Sequence, residues 1–155
     1  TMPLPGFDQA AIDGFAVRAV DVKNAPTTSD PSQDGVVLPV VGDVTAGSRM
    51  HTRLQPDQTV RVFTGAAMPA LADAVVPLAW TDNGETRVTI NRRVNPGDFV
   101  RKVGDDVTPG DIAVRAGTIV GPAQVGLLAA VGRDKVLVHP RPRVSIISVG
   151  NELVD

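Results

Sequence analysis

The stretch TVRVFTG, residues 59–65, indicates most directly which fold this chain adopts. Its two valines alternate with Arg61 and Phe63, and a period of two is typical of a β-strand with one buried face. The stretch ends in Thr64-Gly65, which has two interpretations. A strand that ends at a glycine turn is the simpler one, whereas a hydroxyl beside exposed backbone amides can also hold an oxyanion.

Apolar segments on both sides of this stretch extend the strand pattern. Further strands are predicted at residues 15–22, 36–44, 72–78 and 86–94, and Pro39 restricts the second of them to a sheet edge or a bulge. The 26 valines favour pleated surfaces, and 15 glycines with 13 prolines are too many for long helices. Short strands at this spacing favour a barrel or a sandwich.

The pattern changes towards the end of the chain, so the fold predicted for the whole is mixed α+β and strand-rich. Pro122 suits the first position of a helix and Gly132 can end it in the left-handed conformation, which predicts a helix of about three turns. The apolar run at residues 144–149 is typical of a buried parallel strand. Because a parallel strand needs partner strands, this run is expected to begin another domain.

The composition argues against several classes of function. A formal net charge of −2 and only five aromatic residues argue against nucleic acid or an anionic membrane as a partner. The chain has no cysteine, which excludes disulfides and thiolate metal sites, and its two histidines, His51 and His139, are far apart. No apolar run approaches the ~20 residues of a transmembrane helix, so a cytoplasmic location is expected.

Three groups of charged residues could carry chemistry, and each also has a simpler interpretation. Asp13 precedes Gly14, and an Asp-Gly pair is first of all a turn signal. Asp105 and Asp106, with Asp111 behind them, could ligate Mg²⁺, although paired aspartates in a glycine-rich loop are usually just solvated. The third group could counter an anionic ligand or simply face water. It comprises Arg92, Arg93, Arg101 and Lys102.

Taken in order, five stretches of the chain resemble the MoeA family of molybdopterin molybdenumtransferases, and the same region is similar to the E domain of gephyrin. The order of these motifs along nearly the whole chain carries the resemblance, rather than any one of them. The stretches are PLPGFDQAAIDGFAV (3–17), VRVFTGAAMP (60–69) with ADAVV (72–76), VRKVGDDV (100–107), AGTIVGPAQVGLLAAVG (116–132) and PRVSIISVGNEL (142–153).

The resemblance implies how the chain is divided. Residues 1–20 and 98–143 would form a small α/β domain, and residues 21–97 would form a mostly β domain inserted into it. Residues 144–155 would begin a doubly wound, pterin-binding domain.

The resemblance also implies an activity. Family members use Mg²⁺ to insert molybdate into adenylylated molybdopterin, and they release AMP and the molybdenum cofactor. They are homodimers whose active cleft lies between the pterin-binding domain of one subunit and the first two domains of the other. Molybdopterin adenylyltransferase is the expected upstream partner, and the chain alone is expected to be inactive. Two alternatives remain: a non-catalytic gephyrin-like scaffold or dimerisation module, and a separate β module that binds sugars or anions.

Four catalytic residues are implied by their positions in the family's motifs. The functional carboxylate of the first motif falls on Asp13, and the threonine of the TGA motif falls on Thr64. The second carboxylate of the GDD loop falls on Asp106, and the glutamate of the last motif falls on Glu152. We hypothesise that Asp13 and Asp106 position Mg²⁺ or its waters and that Thr64 donates to an oxyanion, without assigning a direct metal ligand.

The basic loop and the last motif depart from the family pattern. Arg101 and Lys102 are the expected cofactor-binding cations, although the loop has one cation fewer than usual. Asn151 stands where the family usually has Asp, and Val149 where it usually has Thr. Since an amide cannot bind a cation as a carboxylate does, metal binding or rate is expected to differ there.

Overall fold

Seven short strands and one α-helix make up the regular structure of the residues described by the computed structural model, which are 2–28, 34–48, 53–150 and 152. Two 3-10 helices, Ala19–Val22 and Leu78–Trp80, connect some of them. The mixed, strand-rich fold class is thereby confirmed. The elements are β1 (Gln9–Ala10), β2 (Gly14–Val17), β3 (Val36–Val44), β4 (Thr59–Val62), β5 (Ala74–Pro77), β6 (Arg87–Ile90), β7 (Val100–Arg101) and α1 (Pro122–Ala130).

Five of the strands form one sheet in the order β5-β2-β4-β3-β6. Strands β3 and β4 run parallel, and the other neighbours run antiparallel. A bridge between Thr81 and Ile90 joins the chain that follows β5 to β6 at the far side of the sheet. The sheet therefore curls round on itself, in the manner of the predicted barrel.

Strand β3 shows what the proline in its middle allows. It matches the predicted strand, but it lies between β4 and β6, so Pro39 is not at a sheet edge. The pairing of β3 with β4 shifts between Val40 and Asp43, which is the irregularity that a proline or glycine in a strand favours. Gly42 lies within this shift.

The two faces of the sheet pack into two apolar clusters. Strand β2, which is buried along its whole length, supplies Phe15 and Val17 to one cluster and Ala16 to the other, as alternation in a strand requires. Thr59 of β4 is fully buried, and its hydroxyl donates to the Ala16 carbonyl oxygen at 2.7 Å. This buried polar group is therefore satisfied.

A smaller sheet lies beside the curled one. Strand β1 pairs antiparallel with β7, with Gln9 opposite Arg101. Gln9 also forms a bridge to Ala67, so β1 lies between β7 and the chain that follows β4. The backbone bonds from Ala10 N–H to Ala66 and from Gly65 N–H to Ala10 fix this arrangement.

Three predicted strands differ from the structure, and the one predicted at residues 86–94 ends early, at Ile90. The strand predicted at residues 15–22 ends at Val17, because the Ala19 N–H donates to the Asp73 carboxylate at 2.7 Å and the chain turns into a 3-10 helix. The strand predicted at residues 144–149 is not formed, and its apolar side chains are exposed. A strand requires a neighbour to complete its hydrogen bonds, and none of the described residues pairs with this run.

The predicted helix is confirmed. Pro122 is its first residue, the Gln124 side chain accepts the Gly121 N–H, and Gly132 has the left-handed φ of +78° just past its end. Among the described residues, no helix is long and apolar enough to cross a membrane. The curled sheet takes in β2, from the segment predicted to belong to the small α/β domain, and the domain limits remain predictions.

Candidate active site

Asp13 and Thr64, which are 51 residues apart in sequence, meet at one end of the curled sheet. The register of β2 and β4 places Gly14 opposite Val62, so the residue before β2 lies beside the chain that leaves β4. Asp13 Oδ1 accepts the Thr64 backbone N–H at 2.8 Å and the Thr64 hydroxyl at 2.7 Å. Sequence-based reasoning placed both residues in the site, and the structure brings them into direct contact.

The environment of Asp13 favours its ionised form. The Thr64 N–H bond is the main cause of a lowered pKa, followed by the Thr64 hydroxyl, and the nearby positive charge of Arg61 acts in the same direction. The side chain is exposed, so the carboxylate is available to a ligand from solvent. Asp13 therefore presents a negative charge at neutral pH.

The same contacts limit what Thr64 can do. Its backbone N–H and its hydroxyl both donate to Asp13, so in this conformation neither is available to an oxyanion. The hypothesis that Thr64 donates to an oxyanion would require the pair to open. What the closed pair offers is the second carboxylate oxygen of Asp13 and the lone pairs of the Thr64 hydroxyl.

Gly14 shows why a glycine follows Asp13. A Cβ at this position would lie 2.1 Å from the Val76 carbonyl oxygen of β5, a distance that no real contact reaches. Gly14 is thus required by the close approach of two strands rather than by a turn. The Asp13 carboxylate binds Thr64, far along the chain, instead of its own backbone, and this favours a functional role over the interpretation as a turn residue.

The GDD loop forms a second group of charges. The Arg101 guanidinium pairs with the Asp106 carboxylate, and the Asp105 carboxylate accepts the Lys102 backbone N–H at 2.7 Å. The Lys102 ammonium donates to Asp8 at 2.8 Å. Both predicted cofactor-binding cations are therefore already paired with carboxylates, and a ligand would have to compete with them.

Strand β1 separates the two groups of charges. Its Gln9 is bridged on one side to Ala67, shortly after Thr64, and on the other side to Arg101. Since neighbouring strands lie about 4.8 Å apart, the two segments on either side of β1 are about 10 Å apart across the sheet. Asp106 makes no hydrogen bond or ion pair with Asp13 or Thr64, and β1 lies between the two groups.

The last predicted catalytic residue makes no hydrogen bond or ion pair with either group of charges. Glu152 is exposed in the C-terminal segment and, within the described ranges, makes no hydrogen bond or ion pair. Asn151, one of the two departures from the family pattern, lies outside the described residues. Val149, the other, is 90% exposed.

The donor set around Asp13 suits Mg²⁺ only as a partial site. No group of three or more His, Asp or Glu side chains that could hold a metal occurs among the residues that the structure describes. Mg²⁺ commonly takes one or two carboxylates and completes its shell with water and substrate phosphate. One open oxygen of Asp13 fits that mode, and an all-protein metal cage does not.

Sequence reasoning missed two functional candidates beside these groups. Asp8 accepts both the Lys102 ammonium and the Val103 backbone N–H, and these bonds lower its pKa, the Lys102 bond most. Arg61 lies close enough to Asp13 to favour its charge. The alternation in residues 59–65 already placed Arg61 on the face of β4 opposite the buried valines, and this was the available signal.

An open groove lies elsewhere on the molecule. It has a volume of about 1210 Å³ and is lined by residues 111–120, by part of α1 and by residues 131–141. None of the predicted catalytic residues lines it. Its size therefore adds nothing to the assignment of the Asp13–Thr64 pair.

Comparison with known proteins agrees with the fold and with the motifs. The chain matches the family model described as the MoeA N-terminal region (domain I and II) over residues 1–132. It is 59% identical, over 163 aligned positions, to molybdopterin molybdenumtransferase 1 of Mycobacterium tuberculosis, which covers 99% of this chain and 38% of that relative. It is 38% identical to the molybdopterin molybdenumtransferase of Bacillus subtilis, covering 98% of this chain and 35% of that protein.

Solved structures give the same result. The molybdopterin biosynthesis MoeA protein of Pyrococcus horikoshii superposes with a TM-score of 0.76 at 31% identity, over 84% of this chain and 33% of that protein. The chain thus spans less than two fifths of the length of these relatives. Because the family model covers most of its residues, the chain belongs to the family of the MoeA N-terminal region.

Proposed function

We propose that this chain supplies one wall of the active cleft of a molybdopterin molybdenumtransferase. The enzyme would insert molybdate into adenylylated molybdopterin and release AMP and the molybdenum cofactor. The observation that carries this proposal is the exposed, ionised Asp13 held by Thr64 across 51 residues of sequence. Relatives that align with nearly the whole chain are named molybdopterin molybdenumtransferases, which supports it.

In this role Asp13 is the group that faces the substrate. Its second carboxylate oxygen would hold Mg²⁺ or a water bound to Mg²⁺, and a metal bound there supplies positive charge next to the phosphate and molybdate oxygens. Thr64 is a positioning residue, because its two hydrogen bonds fix the direction of the carboxylate and keep it ionised. Arg101 and Lys102 would bind the anionic pterin substrate once it displaces their carboxylate partners.

A homodimer is part of the same proposal, with the partner subunit closing the cleft. Exposed apolar side chains late in the chain support contact with further protein, since contiguous apolar patches on a surface usually mark an interface. They include Ile112, Ile119, Leu137, Ile146 and Ile147. We further propose the cytoplasm as the location and molybdopterin adenylyltransferase as the upstream partner that delivers the substrate.

The test is the rate of molybdate insertion by the full-length protein carrying Asp13→Asn. The variant should fold normally, because an amide oxygen can still accept the two Thr64 donors, but it should insert molybdate at least about 100-fold more slowly if the charge faces the reacting groups. The matched control is Asp82→Asn, since Asp82 is also bound by the N–H and hydroxyl of a threonine. An Asp13→Asn rate equal to that of the control would reject the proposal.

A binding measurement distinguishes a transferase from a scaffold without activity. Isothermal titration of the full-length protein with adenylylated molybdopterin should give a heat of binding if the protein is a transferase. A gephyrin-like scaffold alone should give none.

A further inference from the structure

Arg61 lies near Asp13, on the strand that pairs with β2. It is paired with Phe15 of β2 and with Asp43 of β3, and Phe63 follows just past the end of β4. Asp13 directly precedes β2, and the positive charge of Arg61 is close enough to its carboxylate to help lower the pKa of Asp13.

The guanidinium of Arg61 lies over an aromatic ring and has no ion-pair partner in the described part of the chain. Its Cζ lies 5.7 Å from the centre of the Phe63 ring. Within the described ranges the Arg61 side chain makes no hydrogen bond and no ion pair, whereas Arg101 and Lys102 are each paired with a carboxylate. Its N–H donors are therefore available to a ligand, and the residue is only half-exposed.

Arg61 can supply the oxyanion donor that the Asp13–Thr64 pair lacks. Both Thr64 donors point to Asp13, so an oxyanion at this end of the sheet needs another donor. Arginine presents two parallel N–H bonds that match two oxygens of a tetrahedral oxyanion, and stacking on an aromatic ring reduces the freedom it loses on binding. Its charge would also offset repulsion between such an anion and the Asp13 carboxylate.

We propose that Arg61 is the oxyanion-binding residue of this cleft, taking two oxygens of a tetrahedral oxyanion beside Asp13. This inference rests on the proposed function and names the side chain that would recognise its anionic substrate. Molybdate and the phosphate of adenylylated molybdopterin share this chemistry, and the test below separates them.

The experiment compares Arg61→Met, Arg61→Lys and Arg87→Met in the full-length protein. Methionine keeps much of the apolar stem over Phe63 and removes the charge, and lysine restores the charge without the two-pronged geometry. Arg87 is an exposed arginine on β6 whose side chain makes no hydrogen bond or ion pair in the described part of the chain, so it controls for loss of a cation. The KM for molybdate, the KM for adenylylated molybdopterin and the kcat are measured for each variant.

Arg61→Met should raise one of the two KM values at least tenfold, Arg61→Lys should recover part of the loss, and Arg87→Met should match the wild type. A rise for molybdate assigns the site to molybdate, and a rise for adenylylated molybdopterin assigns it to phosphate. Isothermal titration with molybdate or inorganic phosphate is repeated at about 50 mM and about 300 mM salt, which screen charges weakly and strongly. The affinity for the anion should depend less on salt in Arg61→Met than in the wild type.

Two outcomes separate this inference from the proposed function. Unchanged KM values and anion titrations in Arg61→Met, together with a slow Asp13→Asn variant, would overturn the role of Arg61 and leave the transferase intact. If Asp13→Asn were also unchanged, the proposed function would fail with it. If Arg61→Met does not fold, two other measurements test the role of Arg61 in oxyanion binding. A wild-type KM in the folded Arg61→Lys variant, together with anion binding by the wild type that does not depend on salt, would overturn it.

Discussion

At the scale of single residues, the same pairing of an aspartate with a threonine occurs at three places in the part of the chain that the structure describes. Asp82 accepts the N–H and hydroxyl of Thr89, and Asp111 accepts those of Thr108. Those pairs are 7 and 3 residues apart and stabilise local turns, whereas Asp13 reaches 51 residues to Thr64. The chemistry of the contact is therefore ordinary, and its long range is what joins two motifs into one site.

Replacing Thr64 with valine should raise the pKa of Asp13 only part of the way to its ordinary value. The valine removes the hydroxyl bond, but the backbone N–H bond, which lowers the pKa most, remains. For Asp82 the order is reversed, because the Thr89 hydroxyl is the largest cause, so Thr89→Val should raise the pKa of Asp82 more completely. Carboxyl carbon shifts in an NMR pH titration measure both, and a Thr64→Val protein with an unmoved Asp13 would contradict the contact.

The lowered carboxyl pKa values also predict how acid affects folding. Asp8, Asp13 and Asp82 all have a pKa below the ordinary 3.8 in the folded protein, because hydrogen bonds favour their ionised form. Such groups stabilise the fold fully above the unfolded pKa, and the contribution is lost as pH falls through the folded pKa. The urea midpoint should therefore change little from pH 7 to about 5 and fall below about pH 4. A midpoint that rises on acidification would show that these contacts are not formed in solution.

At the scale of the elements, the contact of β2 with β5 depends on a single glycine. A methyl group at Gly14 would overlap the Val76 carbonyl oxygen, so Gly14→Ala should force the two strands apart. We expect the free energy of unfolding to fall by about 3 kcal/mol, at the upper end of what overpacking costs. Urea unfolding followed by circular dichroism measures the change.

Gly126 gives the matched control with the opposite sign. It lies inside α1 with no atom within 4 Å of an added Cβ, so Gly126→Ala should stabilise the protein by about 0.5–1 kcal/mol. If Gly14→Ala were as harmless as this change, the close approach of β2 and β5 would be wrong.

Local signals predicted those elements whose hydrogen-bond partners are set by nearby sequence or by a repeating pattern. Pro122 and Gly132 mark both ends of α1, and β3 covers the predicted residues 36–44 without error. The strand predicted at residues 15–22 was too long, since its end is set by Asp73, a residue that no local pattern connects to it. The run at 144–149 has the composition of a strand, but composition provides no neighbour to pair with.

At the scale of the whole molecule, the same distinction explains the site. Asp13 and Thr64 were identified because each lies in a motif, but only the register of β2 against β4 shows that they touch. Arg101 and Lys102 were identified as cofactor-binding cations, and the structure pairs them with Asp106 and Asp8 through contacts that charge counting does not reveal. The motifs therefore indicated the residues, and the topology determines which of their atoms remain open to a ligand.

The C-terminal segment provides the last prediction. Residues 134–150 form no backbone hydrogen bond with the sheet, and Leu137 and Ile146 are almost completely exposed. A chain that ends after Arg133 should therefore unfold within about 2 °C of the longer chain, because the removed residues contribute little to the packed core. It should also bind less of a dye that fluoresces on apolar surfaces, since the exposed side chains are gone.

Thermal unfolding by circular dichroism and dye titration of the two chains at equal concentration decide the point. Gly126→Ala, introduced into both chains, serves as the control. It should raise both unfolding midpoints by the same amount if α1 forms without the segment. A midpoint lower by more than about 5 °C in the short chain would mean that residues 134–150 stabilise the fold, because a shift of that size corresponds to about 1–2 kcal/mol for a chain of this length. Their apolar side chains would then have to pack against this chain in solution, and they would not be free to contact another protein surface.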